Sequence, residues 1–210
     1  MTALIYLHGF SSSPGGNKGA FTRHWAEARG IPFHAPDLNL PTFEALTLTA
    51  QVAAVEALLR TLTEPPVLVG SSLGGFIATA VAQRGAPLRA MILLAPAIHF
   101  AQRRLTSPAW ATYREREELE VFHHGAGRPL RLGPELLRDL PNWAGDDRWR
   151  IPVPTVLLHG RFDEAVPLAE SEAYQERHAG SVLHVLEDDH SLLAPASLAC
   201  LRLALEAAYP

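Results

Sequence analysis

Pro66-Val67-Leu68-Val69-Gly70-Ser71-Ser72-Leu73-Gly74-Gly75 is the stretch whose reading decides the fold. Its first part is a short apolar run, and a helical stripe of Leu73, Ile77, Ala80 and Val81 begins where that run ends. A strand that passes into a helix without a loop must turn sharply, and Ser72 stands at the turn. Such a turn strains the serine backbone and tolerates almost no bulk two residues to either side, where Gly70 and Gly74 stand. The hydroxyl is lifted out of the sheet. The helix N-terminus meanwhile aims the free Leu73 N–H and the helix dipole at the same place, which favours negative charge beside the serine. Taken alone, Gly-x-Ser-x-Gly is equally compatible with a plain glycine-rich turn, so the rest of the chain has to decide between them.

Outward from this turn, short apolar runs alternate with helical patterns. Residues 4–7, 32–35, 67–70, 90–95, 155–159 and 182–186 read as strands, several of them continuously apolar, as parallel strands covered on both faces are. Helical stripes lie between them: Phe21, Trp25 and Ala28; then Val52, Val55, Leu58, Leu59 and Leu62, capped by Thr47 or Thr49; finally Leu198, Leu201 and Leu205. The alternation predicts an α/β fold, a doubly wound sheet with right-handed crossovers and helices on both faces. Functional residues then belong at the carboxyl ends of the strands.

Residues 98–150 interrupt the rhythm. The segment is too long for a bare loop, and it carries Trp110, Trp143 and Trp149, a charged helical pattern at 114–120 and a second short one at 134–140. It reads as a cap-like insertion within a single domain spanning residues 1–210. Trp110, Tyr113, Phe122 and Trp143 are its candidate pocket residues, although aromatics in such a segment as readily glue it to the sheet.

Three strand ends carry polar residues suited to chemistry. The first is followed by His8-Gly9-Phe10-Ser11-Ser12-Ser13-Pro14, which can set the Phe10 N–H opposite that of Leu73 as a two-donor oxyanion hole. The run ending Leu157-Leu158-His159-Gly160 leads to Asp163, and the last strand to Asp188-Asp189-His190. A single aspartate or histidine in a loop is more often structural than catalytic. Ser72, Asp163 and His190, each just beyond a strand and in this order, are together the expected nucleophile, acid and base.

Composition narrows the alternatives. A chain of 210 residues with 48% hydrophobic residues can bury a sizeable core without disulfides or metal, and its single cysteine, Cys200, has no partner within the chain. A net charge of −4 with no basic cluster argues against nucleic acid. The first residues, Met1 to Gly9, read as a strand rather than a signal peptide, and no apolar run reaches membrane-spanning length, so a soluble cytoplasmic protein is expected. No zinc or phosphate-loop motif is present, and neither metal nor cofactor is expected.

These residues resemble the α/β-hydrolase superfamily of serine esterases over nearly the whole chain. The likeness rests on His8-Gly9, on Gly70-Ser71-Ser72-Leu73-Gly74, on His159-Gly160 with Asp163 and Val166-Pro167, and on His190. His8-Gly9-Phe10 with Ser12-Ser13-Pro14, Lys18 and Trp25 is similar to the small YqiA-type esterases. The resemblance implies a three-layer fold with about six parallel strands ordered 4-3-5-6-7-8 in family labels, lacking the N-terminal hairpin. It also implies a triad of Ser72, His190 and Asp163 that cleaves small-molecule carboxylic esters of short to medium acyl chains. Thioester, amide or peptide hydrolysis and acyl transfer use the same triad, and a catalytically idle fold that serves as a binding module is the remaining alternative.

Overall fold

The computed structural model describes residues 1–145 and 151–209. Strands β1 (Leu4–Leu7), β2 (Phe33–His34), β3 (Val67–Ser71), β4 (Ala90–Leu94), β7 (Thr155–Gly160) and β8 (Ser181–Leu186) form one sheet in the order β2-β1-β3-β4-β7-β8. Every neighbouring pair is parallel. In family labels this is the 4-3-5-6-7-8 order that the resemblance implies. Successive side chains point to opposite faces, so continuous apolar strands feed two cores at once. Leu4, Tyr6, Val67, Val69, Ile92 and Leu94 face one core, closed by helices α1 (Asn17–Glu27) and α8 (Pro195–Ala208) through Trp25, Leu201 and Leu205. Ile5, Leu7, Leu68, Met91 and Leu93 face the other, covered by α2 (Leu48–Leu59) and α3 (Leu73–Gln83).

Helix α3 is buried at every position from Leu73 to Ala82, and its sequence is apolar nearly all round, as a central helix must be. Of the two threonines expected to cap α2, Thr47 does so, accepting a hydrogen bond from the Ala50 N–H at 3.1 Å. Helix α7 (Leu168–Arg177) links β7 to β8.

Between β4 and β7 lie α4 (Phe100–Thr106), a 3₁₀ turn at Pro108–Trp110, α5 (Ala111–Arg116), strands β5 (Leu119–His123) and β6 (Arg128–Leu132), α6 (Glu135–Asp139) and a 3₁₀ turn at Leu140–Asn142. Strands β5 and β6 form an antiparallel hairpin that the charged pattern at 114–120 conceals. The expected helix stops at Arg116 because Glu117 takes a left-handed conformation, φ 54°. From Leu119 the period changes to two, with Leu119, Val121 and His123 turned inward and Glu120 and Phe122 outward. The expected helix at 134–140 is α6. Trp149 and Arg150 lie outside the described residues.

Candidate active site

Ser72 joins β3 to α3 with φ 53° and ψ −115°, a conformation that L-residues rarely adopt. Strain of this kind costs about 1–3 kcal/mol and persists only where its surroundings over-determine it. Here the Ser72 N–H donates to the Leu94 carbonyl at 2.9 Å, while its own carbonyl accepts from the N–H groups of Gly75 and Ala97 at 2.9 and 3.0 Å. A Cβ on Gly74 would run into the Leu7 and His8 carbonyls, so only glycine lets the N-terminus of α3 settle on the end of β1. Neighbouring Ser71 is buried, and its side chain is hydrogen-bonded to Tyr6. Positive φ recurs at Ser11, Ala95 and Leu192, which leave β1, β4 and β8. Backbone strain is therefore gathered at the carboxyl ends of the sheet.

The loop after β1 lies directly over the serine: a Cβ on Gly9 would stand 3.2 Å from that of Ser72. Buried His8 fixes the loop. Its Nε2 accepts from the Leu38 N–H at 2.9 Å, so the proton sits on Nδ1, which donates to the Gly9 carbonyl at 2.9 Å. Burial lowers the His8 pKa and keeps the ring in this neutral tautomer. The Phe10 ring packs between Phe43, Phe100 and Trp110, with centroids 5.7 to 5.9 Å apart. Among the described residues, the Phe10 and Leu73 amides have no main-chain acceptor.

Asp163, beyond β7, and His190, beyond β8, meet across adjacent strands: His190 Nδ1 lies 2.7 Å from Asp163 Oδ2. The carboxylate is fully covered, whereas the imidazole is about one-third exposed (32%). Asp163 Oδ1 accepts from the N–H groups of Ala165 and Val166, both at 2.8 Å, which leaves Oδ2 for the ring. A second histidine stands behind the acid. His159 Nε2 is 3.3 Å from Oδ2 and 3.0 Å from the Val166 carbonyl, and two acceptors there require a proton on Nε2. Its Nδ1 accordingly accepts from the Ser171 hydroxyl at 2.7 Å. Burial alone would raise the Asp163 pKa; hydrogen bonds from His159, His190 and Val166 outweigh it and hold the carboxyl well below the usual range. With a depressed folded pKa, the stability from this charge is complete above about 3.9 and is lost only as pH falls through the folded value. Asp188 instead accepts from the Ala194 N–H and the Ser197 hydroxyl at the start of α8, and Asp189 from the Ser191 N–H.

Ser72, His190, Gly9 and Phe10 line one cavity of about 390 Å³. Lys18 from the first turn of α1, Leu193, and His124 and Gly125 at the tip of the β5-β6 hairpin also border it. The four aromatics expected in a pocket are placed otherwise. Trp110 and Tyr113 are core residues, Phe122 is exposed, and Trp143 borders a separate depression beside Phe76 and Thr49. The Tyr113 hydroxyl donates to the Gly133 carbonyl and accepts from the Leu137 N–H, which ties α5 to α6. Tyr113→Ala is thus expected to lower unfolding stability by about 3–5 kcal/mol without changing substrate selectivity. Phe122→Ala should stay within about 0.5 kcal/mol. Denaturant unfolding beside an acyl-ester panel checks both.

The hairpin tip escapes a sequence reading, as do the contacts of Lys18 and His159, which the sequence offers only as marks of a resemblance. Only the glycines of His124-Gly125-Ala126-Gly127, flanked by alternating residues, signal a hairpin, and nothing local connects it to the loop after β1.

Many solved structures share the architecture, three of which illustrate it. A protein of Agrobacterium vitis S4, classed only as a hydrolase, superposes with a TM-score of 0.85 at 23% identity, covering 100% of this chain and 88% of that one. Est1E from Butyrivibrio proteoclasticus with bound ferulic acid gives 0.83 at 19% identity, covering 99% and 87%. One of the metagenome-derived lipolytic enzymes LipS and LipT gives 0.72 at 20% identity, covering 99% and 93%. The fold is that of the α/β hydrolases. Residues 3–194 match the profile of the uncharacterised protein family UPF0227, and the chain belongs to that family.

Proposed function

We propose that this protein is a serine hydrolase that cleaves small carboxylic esters of short to medium acyl chains. The observation that carries the reading is the covered Asp163 carboxylate 2.7 Å from His190 Nδ1, with that histidine and the strained Ser72 on one cavity. A proton on Nδ1, donated to Asp163, leaves Nε2 with its lone pair. Nε2 takes the Ser72 proton as Oγ forms a bond to the acyl carbon, and the Phe10 and Leu73 amides hold the resulting oxyanion. Collapse of the tetrahedral adduct breaks the carbon–oxygen bond to the alcohol, which leaves with the proton from the imidazolium. A water molecule, deprotonated by the same ring, then attacks the acyl-enzyme, and Ser72 Oγ departs and regains its proton. Only protons and acyl groups move, and apart from the water consumed this chain's own residues carry each step.

The cavity suits a small acyl group. A lipolytic enzyme with the same fold supports an ester as the substrate class. In this reading the segment at 98–150 is a cap whose hairpin tip borders the reaction chamber. The substrate is a soluble small molecule in the cytoplasm, with neither nucleic acid nor membrane as a partner. Among the described residues no helix is long and apolar enough to cross a membrane. A fluorophosphonate probe tests the reading: stoichiometric labelling is expected, followed by turnover of p-nitrophenyl esters with preference for shorter chains. Thioesters or amides turned over faster than esters would shift the substrate class, and absence of labelling would leave the binding-module alternative.

A further inference from the structure

The chain contains one lysine, and that lysine lines the cavity holding Ser72. Lys18 sits in the first turn of α1, which lies close against β1: a Cβ on Gly19 would stand 2.9 Å from the Tyr6 ring. From there the side chain crosses to a segment 172 residues away. Its Nζ donates to the Ser191 carbonyl at 2.9 Å and lies 3.4 Å from the His190 carbonyl. The turn it grips is tight, since Asp189 accepts from the Ser191 N–H and Leu192 has φ 51°.

We infer that Lys18 is a positioning residue, whose ammonium holds the His190-Ser191 main chain and thereby fixes the imidazole between Asp163 and Ser72. The inference rests on the serine-hydrolase reading above. An imidazole on a loop needs its backbone held as firmly as its Nδ1, because misplacement by about 1 Å can cost a hundredfold in rate. Asp163 supplies the second restraint and Lys18 the first. The charged groups acting on Lys18 are Asp163 from the loop after β7 and Asp188 and Asp189 from the loop after β8. The Tyr6 phenol on β1, His190 and His124 share the cavity with it. Burial pulls the Lys18 pKa down to about 8, although the three carboxylates oppose the shift. The grip is then complete below about pH 8 and weakens above it, where a neutral amine remains a donor but carries no charge.

The test pairs kinetics with a direct titration. A sole lysine labelled with ¹³C at Cε gives one assignable signal, expected to titrate near pH 8. Acylation by a fluorophosphonate should decline with the same midpoint in the wild type. Lys18→Met should slow acylation about 10- to 100-fold, leave KM for a neutral ester within about threefold, and retain a cooperative thermal transition. Lys18→Arg keeps donors and charge, so it should recover at least tenfold over Lys18→Met and lose the alkaline decline. Acylation by Lys18→Met within threefold of wild type, or a wild-type rate flat through the lysine titration, overturns the inference. If the wild type does not label at all, the hydrolase reading fails first. The low-field proton resonance of the His190-Asp163 hydrogen bond then decides the positioning role: sharp in wild type and lost in Lys18→Met supports it, unchanged in both overturns it.

Discussion

Ser72→Ala is expected to abolish fluorophosphonate labelling and to lower kcat on a p-nitrophenyl ester by about 10⁶-fold, by analogy with a serine protease stripped of its nucleophile. The expectation follows from the turn between β3 and α3. Its carbonyl and N–H are fixed by Gly75, Ala97 and Leu94, which determines where the Cβ must point. Alanine keeps that Cβ and the strained φ, so the variant should melt close to wild type. Ser71 supplies the internal control, because its side chain, although it borders the same cavity, is already bound to Tyr6. Ser71→Ala should label at a rate near wild type. If Ser71→Ala abolishes labelling while Ser72→Ala retains it, the nucleophile has been misassigned.

The second large effect is expected at Asp163. Its two oxygens accept four N–H groups, from Ala165, Val166, His190 and His159. An asparagine in the same place must turn its NH₂ toward either the two main-chain donors or the two histidines, and both orientations set donor against donor. The conflict is relieved most simply by flipping the His190 tautomer, which puts the proton on Nε2 and removes the base. Asp163→Asn should therefore lose up to about 10⁴ in turnover, the magnitude of the corresponding change in trypsin, together with some stability. Asp188→Asn and Asp189→Asn should behave differently. Asp188 receives the N–H of Ala194, the residue just before α8, and the Ser197 hydroxyl of its first turn, so its loss resembles a lost helix cap of about 0.5–2 kcal/mol with modest change in rate. Steady-state rates of the three variants, with circular dichroism to confirm folding, check the assignment. Asp163→Asn near wild type beside a collapse of either neighbour would make the drawn acid wrong.

The parallel sheet was legible because strands covered on both faces must be apolar at consecutive positions, and Leu4–Leu7, Val67–Val69 and Met91–Leu94 are. The meeting of Asp163 with His190 could be foreseen because β7 and β8 are neighbours and each residue lies just past its strand. The hairpin was hidden by chemistry: Arg114-Glu115-Arg116-Glu117-Glu118 has the charge pattern of a solvated helix, and it runs without a break into Leu119. Aromatic content located the insertion but not the direction of its rings. Trp110 and Tyr113 turn to the core because α4, the 3₁₀ turns and α6 supply the apolar surface to receive them. Lys18 and His159 stood out only as marks of a resemblance, and their long-range contacts were beyond reach for a different reason. Lys18 reaches His190 and Ser191, and His159 reaches Ser171, only through how α1 and α7 lie against the strand ends, which no local spacing encodes.

The stitching of the β5-β6 hairpin to the loop after β1 bears on how a substrate arrives. The His124 N–H donates to the Ser11 carbonyl at 2.8 Å, the Asn39 amide to the Ser12 carbonyl at 3.1 Å, and His123 Nε2 lies 3.3 Å from Asn39 Oδ1. Ser11 adjoins Phe10, whose amide faces the developing oxyanion in the proposed mechanism. A hinged lid built from this hairpin would pull on the oxyanion loop each time it swung open, so opening and disarming would be the same motion. A mouth that stays open avoids that coupling. In such an enzyme the width of the doorway sets which esters reach the serine, and an oil–water interface, which serves to pry lids open, would bring no gain in rate.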